Sequence, residues 1–232
     1  DLAFDVVCQF RAFVASEVER DIKIFGGRLK QYVFISSASA YQKPPGDQLI
    51  TEDVPLVNPY SEYSRNKIAC ENVLASQNKL PTTIVRPSHT LRSSLPTAMG
   101  EKEVAAQRML SGKPVIVPGD GTSLWTLTHA ADFAPPFVKL LGNQRAIGEA
   151  FHLTGDGAWR WDVIYSTLAR ALGAPPPKLV HVPTDVLVRY HQPWTAALLG
   201  DKCWTTRFDN SKIKEVVGGF DCPTTLDELM AK

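Results

Sequence analysis

Long apolar runs are missing from this 232-residue sequence. No stretch approaches the roughly twenty apolar residues that an α-helix needs to cross a bilayer. Cysteine is scarce: Cys8, Cys70, Cys203 and Cys222 are far apart and form no C-x-x-C pair. That spacing speaks against a disulfide framework or a zinc site and fits a reducing compartment. An excess of one charge is also missing, since 25 Lys and Arg against 24 Asp and Glu leave a net charge of +1. No broad field therefore draws the chain to nucleic acid or to an anionic membrane. A signal peptide is not seen: Asp1 opens directly into a strand-like pattern without an initiator Met, as expected of a fragment or a processed product. There is no internal repeat and no low-complexity tail. What is present, 44% hydrophobic and 21% charged residues, suits a globular protein with one sizeable core and room for a small second lobe.

Asp5 to Phe10 is a short apolar run with the character of a buried strand. From Ser16 to Phe25, Val18, Ile22 and Phe25 recur at helical spacing; Ser16 with Glu19 forms a capping-box signature, and Gly26-Gly27 ends the helix. A second strand is expected over Tyr32 to Ile35, running into Ser36-Ser37-Ala38-Ser39-Ala40-Tyr41. Pro44, Pro45, Pro55 and Pro59 make residues 43 to 60 a surface loop. Ser61 to Gln77 then reads as a helix and Thr82 to Arg86 as a third strand, stopped by Pro87. Strand, helix, strand, loop, helix and strand in this order imply parallel crossovers and an α/β layered fold. Further helices are expected over Glu101 to Leu110, Trp161 to Leu172 and Ser211 to Val217. One over Phe133 to Leu141 should begin late or kink at Pro135-Pro136. Further strands are expected at Val115 to Val117, Phe151 to Thr154 and Lys178 to Pro183, the last after the stiff Ala174 to Pro177 linker.

Tyr63 and Lys67 are the central chemical feature, because residues four apart share a helix face. An ammonium beside a phenol favours the phenolate and lowers its pKa from about 10. A phenol tuned in this way can exchange a proton with a substrate hydroxyl or carbonyl near neutral pH. The spacing alone is common on exposed helices. Here it follows serines at a strand's C-terminal end, where open α/β sheets place their ligands, although serines also serve as caps and turns.

This ordered set resembles the extended short-chain dehydrogenase/reductases, the NAD-dependent epimerase/dehydratase family. Phe34 to Tyr41 resembles its strand, serines and aromatic residue, and Glu52, Pro55, Pro59, Tyr63 and Lys67 resemble the continuation. Ile84-Val85-Arg86-Pro87, Gly119-Asp120-Gly121, His129 to Ala134 and Phe208 to Lys214 resemble later segments in the right order. The resemblance implies a partial Rossmann-like, doubly wound parallel sheet lacking its first βαβ units, with a small C-terminal substrate lobe. Residues 1–150 would be the remainder of the dinucleotide-binding domain, with substrate-lobe insertions after 87, and 151–232 mainly the substrate lobe. It implies that Tyr63 is the acid/base, that Lys67 lowers its pKa and holds the nicotinamide ribose, and that Pro87 lies on the cofactor side. Ser37 falls at the family's catalytic Ser/Thr position, with Ser36 and Ser39 as alternatives; Ser39, His89 and Arg207 are candidates to touch substrate. The cofactor would be NAD or NADP, exchanging a hydride with a nucleotide sugar or related small molecule. A homodimer through residues 16 to 25 and 61 to 77, with Ile68, Val73 and Leu74 as apolar surface of which some must face the sheet, is also implied, as is a cytoplasmic, plastid or other reducing compartment.

Departures accompany the resemblance. The family opens with a strand, a G-x-x-G-x-x-G loop and a helix N-terminus for the pyrophosphate, whereas Gly26-Gly27 follows a helix. Residues 1 to 10 match the family's fourth strand, whose apolar sequence suits full burial. With nothing before Asp1 its edge would lie open, so the isolated chain is expected to be poorly soluble and to hold NAD(P) weakly. His89 stands where many nucleotide-sugar enzymes carry Asn, and Ala38-Ser39 supplies no acidic pair for a 4,6-dehydratase. His129 and Asp132 lack a third metal ligand and read as a helix start. Trp125, Trp159 and Trp161 are core or stacking residues, and Arg160 and Lys202 surface or phosphate-binding ones. The expectation is an NAD(P)-dependent nucleotide-sugar epimerase/dehydratase-like oxidoreductase. The alternatives are a non-catalytic scaffold, an RNA-binding relative or an inactive truncated copy. Ser37, Tyr63 and Lys67 together favour the enzyme, and the near-neutral charge disfavours nucleic acid.

Overall fold

The computed structural model describes residues 3–46, 49–100 and 102–231. Asp1, Leu2, Asp47 and Gln48 within an expected loop, Glu101 at the start of an expected helix, and Lys232 lie outside them. The chain opens with β1 (Val6–Gln9), α1 (Ala15–Phe25) and β2 (Gln31–Ile35). After β3 (Leu49–Ile50), α2 (Glu62–Ala75) leads to β4 (Thr82–Pro87). Next come β5 (His89–Leu91), α3 (Lys102–Leu110), β6 (Val115–Pro118), β7 (Leu124–His129), α4 (Ala130–Leu140) and β8 (Ala150–Leu153). The chain continues through β9 (Ala158–Arg160), α5 (Trp161–Ala171), β10 (Leu179–Val182), α6 (Thr184–Tyr190) and α7 (Trp194–Ala197). A π-helical turn, Leu198–Lys202, precedes β11 (Arg207–Phe208), α8 (Ser211–Val217) and α9 (Leu226–Met230).

The main sheet has the order β1-β2-β4-β8, and each pairing is parallel. Strand alternation divides its side chains between two helical layers. Tyr32 and Phe34 pack with Val18, Cys70 and Leu74 beneath α1 and α2. Val33, Ile35, Val85 and Phe151 pack on the other face with Phe137 and Leu140 of α4 and Ile213 and Val217 of α8. Gln31 is the one polar residue in the wholly buried β2. Its amide donates to Thr83 Oγ1 (2.8 Å) and the Leu140 carbonyl (3.0 Å), and it accepts from the Gly142 N–H (2.7 Å). A second unit carries its own core, in which Trp125, Trp161, Tyr165 and Leu168 pack with Met109, Leu187 and Leu198. Gly121 closes one of its turns with φ +74°, and a Cβ there would lie 2.0 Å from Asp162 Oδ1, so glycine is required. No helix among the described residues is long and apolar enough to cross a membrane.

Several expectations need adjusting. α1 starts at Ala15 because Glu17, not Glu19, turns back to accept the N–H groups of Phe13 (2.6 Å) and Val14 (3.2 Å). α4 begins at Ala130 and continues through Pro135-Pro136, capped by His129 Nδ1, which accepts from the Ala131 N–H (3.2 Å). β1 is half-buried instead of fully buried, since among the described residues it pairs only with β2. β8 completes the main sheet, and the second core gathers residues from both sides of position 150. Leu74 is buried and Val73 partly buried against the sheet, the part of the α2 apolar surface expected to face it.

A buried polar network joins the layers. Arg86 on β4 donates from Nε (3.1 Å) and Nη2 (2.7 Å) to the two oxygens of Glu71 on α2, and both side chains are buried. Glu71 also accepts from the Ser36 hydroxyl. Arg86 Nη1 donates to the Tyr41 hydroxyl (3.1 Å), which lies 3.1 Å from His152 Nδ1. His152 Nε2 is 2.6 Å from the Asp209 carbonyl. A carbonyl only accepts, so Nε2 carries the imidazole proton and Nδ1 accepts from Tyr41. Burial pushes the His152 pKa down to about 4, consistent with this neutral ring. Removing one partner of a buried pair strands the other charge. Glu71→Gln is therefore expected to cost about 3–5 kcal/mol in urea unfolding; a loss below about 1 kcal/mol, the range of exposed pairs, would show that water reaches Arg86.

Candidate active site

β2 ends in two serines that leave on opposite sides. Ser36 is buried and bonded to Glu71. Ser37 turns towards a cavity and caps the 3-10 turn Ala38–Ala40 by accepting from the Ser39 N–H (3.2 Å). Its hydroxyl lies 2.8 Å from that of Ser39, which lies 2.8 Å from Ser64 Oγ on α2. Ser61 caps α2 by accepting from the Ser64 N–H (3.2 Å). Asn58, which no sequence motif singles out, fastens these segments together. Its amide donates to the carbonyls of Ser39 (2.8 Å) and Gly200 (2.7 Å), and its oxygen accepts from the Ser61 N–H (3.2 Å).

The cavity has a volume of about 330 Å³. Ser37, Ser39, Tyr63, Pro87 and Phe208 line it from the main-sheet side, Phe208 packing on Tyr41. His89 on β5 and Trp125 on β7, together with Asp201, Lys202 and Thr206, complete the lining. Of the candidates read from the sequence, Arg207 stays outside and is exposed. It lies between Thr206 and Phe208, and alternation along β11 turns it away from the side those two face. Ser36 is likewise removed from the cavity by alternation. The tryptophans resolve as packing residues: Trp125 and Trp161 are buried and stacked with centroids 5.6 Å apart, and Trp159 packs against the same core. Asp132 accepts from the Thr224 N–H (3.3 Å).

Lys67 is buried under the site. Its ammonium donates to the carbonyls of Ala12 (2.7 Å) and Ile35 (2.8 Å) and lies 4.8 and 4.9 Å from the Phe13 and Phe34 ring centroids. The Tyr63 ring centroid is 5.8 Å away. Burial lowers the Lys67 pKa. The expected lowering of the Tyr63 phenol does not occur in this state. Burial raises its pKa, the Ser37 hydroxyl opposes that rise, and the Asp201 charge adds to it. The lysine's charge is directed at strand-end carbonyls instead of the phenol.

His89 receives a hydrogen bond at Nδ1 from Trp125 Nε1 (3.0 Å). Indole N–H only donates, so the neutral imidazole carries its proton on Nε2. Burial first, then the charges of Lys202 and Lys102, push its pKa down to about 3. His89 thus offers the cavity a donor without a charge. Asp201 and Thr206 were not legible as site residues: they meet the serines only because the turn at Leu198–Lys202 folds back over α2.

A parallel sheet layered with helices on both faces, with Ser37, Tyr63 and Lys67 gathered at the end of β2, defines a Rossmann-like protein of the short-chain dehydrogenase/reductase type. The sequence model of the NAD dependent epimerase/dehydratase family matches residues 20–154, and the chain belongs to that family. It is 31% identical over 178 residues to "Chloroplast stem-loop binding protein of 41 kDa b, chloroplastic" of Arabidopsis thaliana, covering 77% of this chain and 45% of the relative. It is 25% identical over 176 residues to 2'-dehydrokanamycin reductase of Streptomyces kanamyceticus, covering 74% and 49%. The chain thus spans less than half the length of these two curated relatives. Among solved structures, it superimposes with a TM-score of 0.72 on UDP-glucuronic acid 4-epimerase from Bacillus cereus in complex with UDP-glucuronic acid and NAD, at 20% identity and covering 94% of this chain and 65% of that one. With dTDP-glucose 4,6-dehydratase from Bacillus anthracis in complex with NAD, the TM-score is 0.73 at 17% identity, covering 98% and 70%.

Nitrogen NMR of His89 is expected to report the Nε2–H tautomer, uncharged from pH 8 to pH 5. Its folded pKa of about 3 lies below the unfolded value of about 6.5. Its contribution to stability is therefore complete above the unfolded value and is lost as pH falls from there towards 3. A ring that gains its second proton near pH 6.5 would refute the assignment.

Proposed function

We propose that this chain is the catalytic-face portion of an NAD(P)-dependent oxidoreductase acting on a sugar, of the nucleotide-sugar epimerase/dehydratase type. One observation carries the reading: the Ser37 and Tyr63 hydroxyls share a cavity at the C-terminal end of the main sheet, with the Lys67 ammonium buried beside it. Family membership and the likeness to NAD-containing epimerase and dehydratase structures support it. The Lys67 environment fits a dinucleotide ribose, since two of its three N–H donors go to carbonyls and the third is left for a ligand hydroxyl. Pro87 lines the same cavity at the end of β4.

When bound, NAD(P) accepts or returns the hydride at the nicotinamide. Tyr63 takes the proton of the substrate hydroxyl as that hydroxyl is oxidised and returns it on reduction. Ser37 donates to the reacting oxygen and favours the phenolate of Tyr63, opposing the effect of burial. A ribose that draws Lys67 towards Tyr63 brings a cation nearer the phenol and lowers its pKa. His89 donates from Nε2 to a substrate oxygen. Turns after Ser37 supply Ala38 and Ser39, so an acid for eliminating water would have to come from another segment; epimerisation or reduction suits this set better. α1 and α2 remain the assembly face for a homodimer under this reading.

With NAD(P)H and a nucleotide-sugar panel, Tyr63→Phe is expected to lower kcat by roughly 10²–10⁴-fold, the usual contribution of a positioned acid/base, with an unchanged melting temperature. Undiminished turnover in that variant would remove Tyr63 from the proton transfer. A second reading, binding without catalysis, has one support: the 31% identical relative is named a stem-loop binding protein. It would be favoured if the protein turned over no nucleotide sugar yet retained a stem-loop RNA at 150 mM salt, where weak non-specific phosphate contacts are lost.

A further inference from the structure

We propose that Asp201 is a further substrate-recognition residue, accepting a hydrogen bond from a hydroxyl on the sugar part of the substrate. The proposal rests on the function proposed above and adds the group that selects the sugar.

Asp201 stands in the cavity wall that also holds Ser37 and Tyr63, on the turn fastened by Asn58. Its side chain is 24% exposed, and its ion-pair partner Lys202 is 3.8 Å away. No hydrogen-bond donor among the described residues reaches its carboxylate. A carboxylate has about four acceptor sites, which here stay open to a donor that enters the cavity. Lys202 does not supply the missing donor, because its ammonium sits 5.6 Å from the Trp125 ring centroid and its carbonyl is held by Trp161 Nε1 (2.9 Å).

Burial raises the Asp201 pKa, and the charges of Lys202 and Lys43 oppose that rise. A polyol meets this acceptor with a hydroxyl.

Calorimetric binding of UDP-glucose and of UDP, with the protein saturated by NAD+, provides the test. Asp201→Asn is expected to weaken UDP-glucose roughly ten-fold or more, as for a lost hydrogen bond to a charged group, and to leave UDP within about two-fold. Equal losses for both ligands would put the carboxylate at the nucleotide and overturn the proposal, as would no loss for either. Failure of the wild-type protein to bind UDP-glucose at all would instead overturn the nucleotide-sugar reading, and the proposal with it.

Discussion

The bidentate pair between Arg86 and Glu71 is the constraint on which the site depends. It ties the middle of α2 to β4 from within the protein, and Glu71 uses the same carboxylate to hold Ser36. Because Ser36 is held inward, extended backbone sends Ser37 outward to the cavity. Because α2 is pinned at Glu71, Tyr63 and Lys67, two turns and one turn earlier on the helix, are fixed in position relative to that serine. Two charges out of water stabilise a fold only when their geometry and remaining hydrogen bonds are satisfied. Here Tyr41, His152 and the Asp209 carbonyl complete the arrangement on the Arg86 side. The network thus links the serine segment, α2 and the chain entering α8.

The cavity sits where two separately cored units meet. The main-sheet side supplies hydroxyls and a buried ammonium; the second unit supplies an aromatic wall, a neutral imidazole's hydrogen-bond partner and the Asp201–Lys202 pair. Asn58 bridges the units through the Ser39 and Gly200 carbonyls, so small shifts of one are transmitted to the other. The electrostatics are set by burial more than by pairing. His89 stays uncharged, and the phenol of Tyr63 is raised while Lys67 serves the backbone. A ligand that gives Lys67 a new acceptor changes that balance without any rearrangement of the sheet.

Much of this was legible from local sequence. β2 and β4 announced themselves as short apolar runs, α8 by its residues alone, and the serine cluster and Y-x-x-x-K spacing by chemistry that stands out in a chain of ordinary composition. α2 was legible from its cap and its motif but not from apolar periodicity, because its buried face is Ser64, Lys67, Cys70, Glu71 and Leu74, a mostly polar set that only partners elsewhere make tolerable. The start of α1 was missed by one residue because three acidic or hydroxyl side chains could cap it, and only the bend of the chain at Phe13 decided for Glu17.

The sequence by itself determined the main-sheet strands and the helices that layer them, the α/β class and the residues able to exchange a proton, because backbone propensity and side-chain chemistry are local properties. Tertiary structure decided that Ser37 and Ser39 face the cavity while Ser36 does not, that Arg207 stays outside it, that Lys67 donates to the Ala12 and Ile35 carbonyls, and that Asn58 meets Gly200 at all. Those outcomes turn on strand alternation, burial and the approach of segments as far apart as residues 58 and 200, and each is an energy that exists only once the chain has brought the groups together.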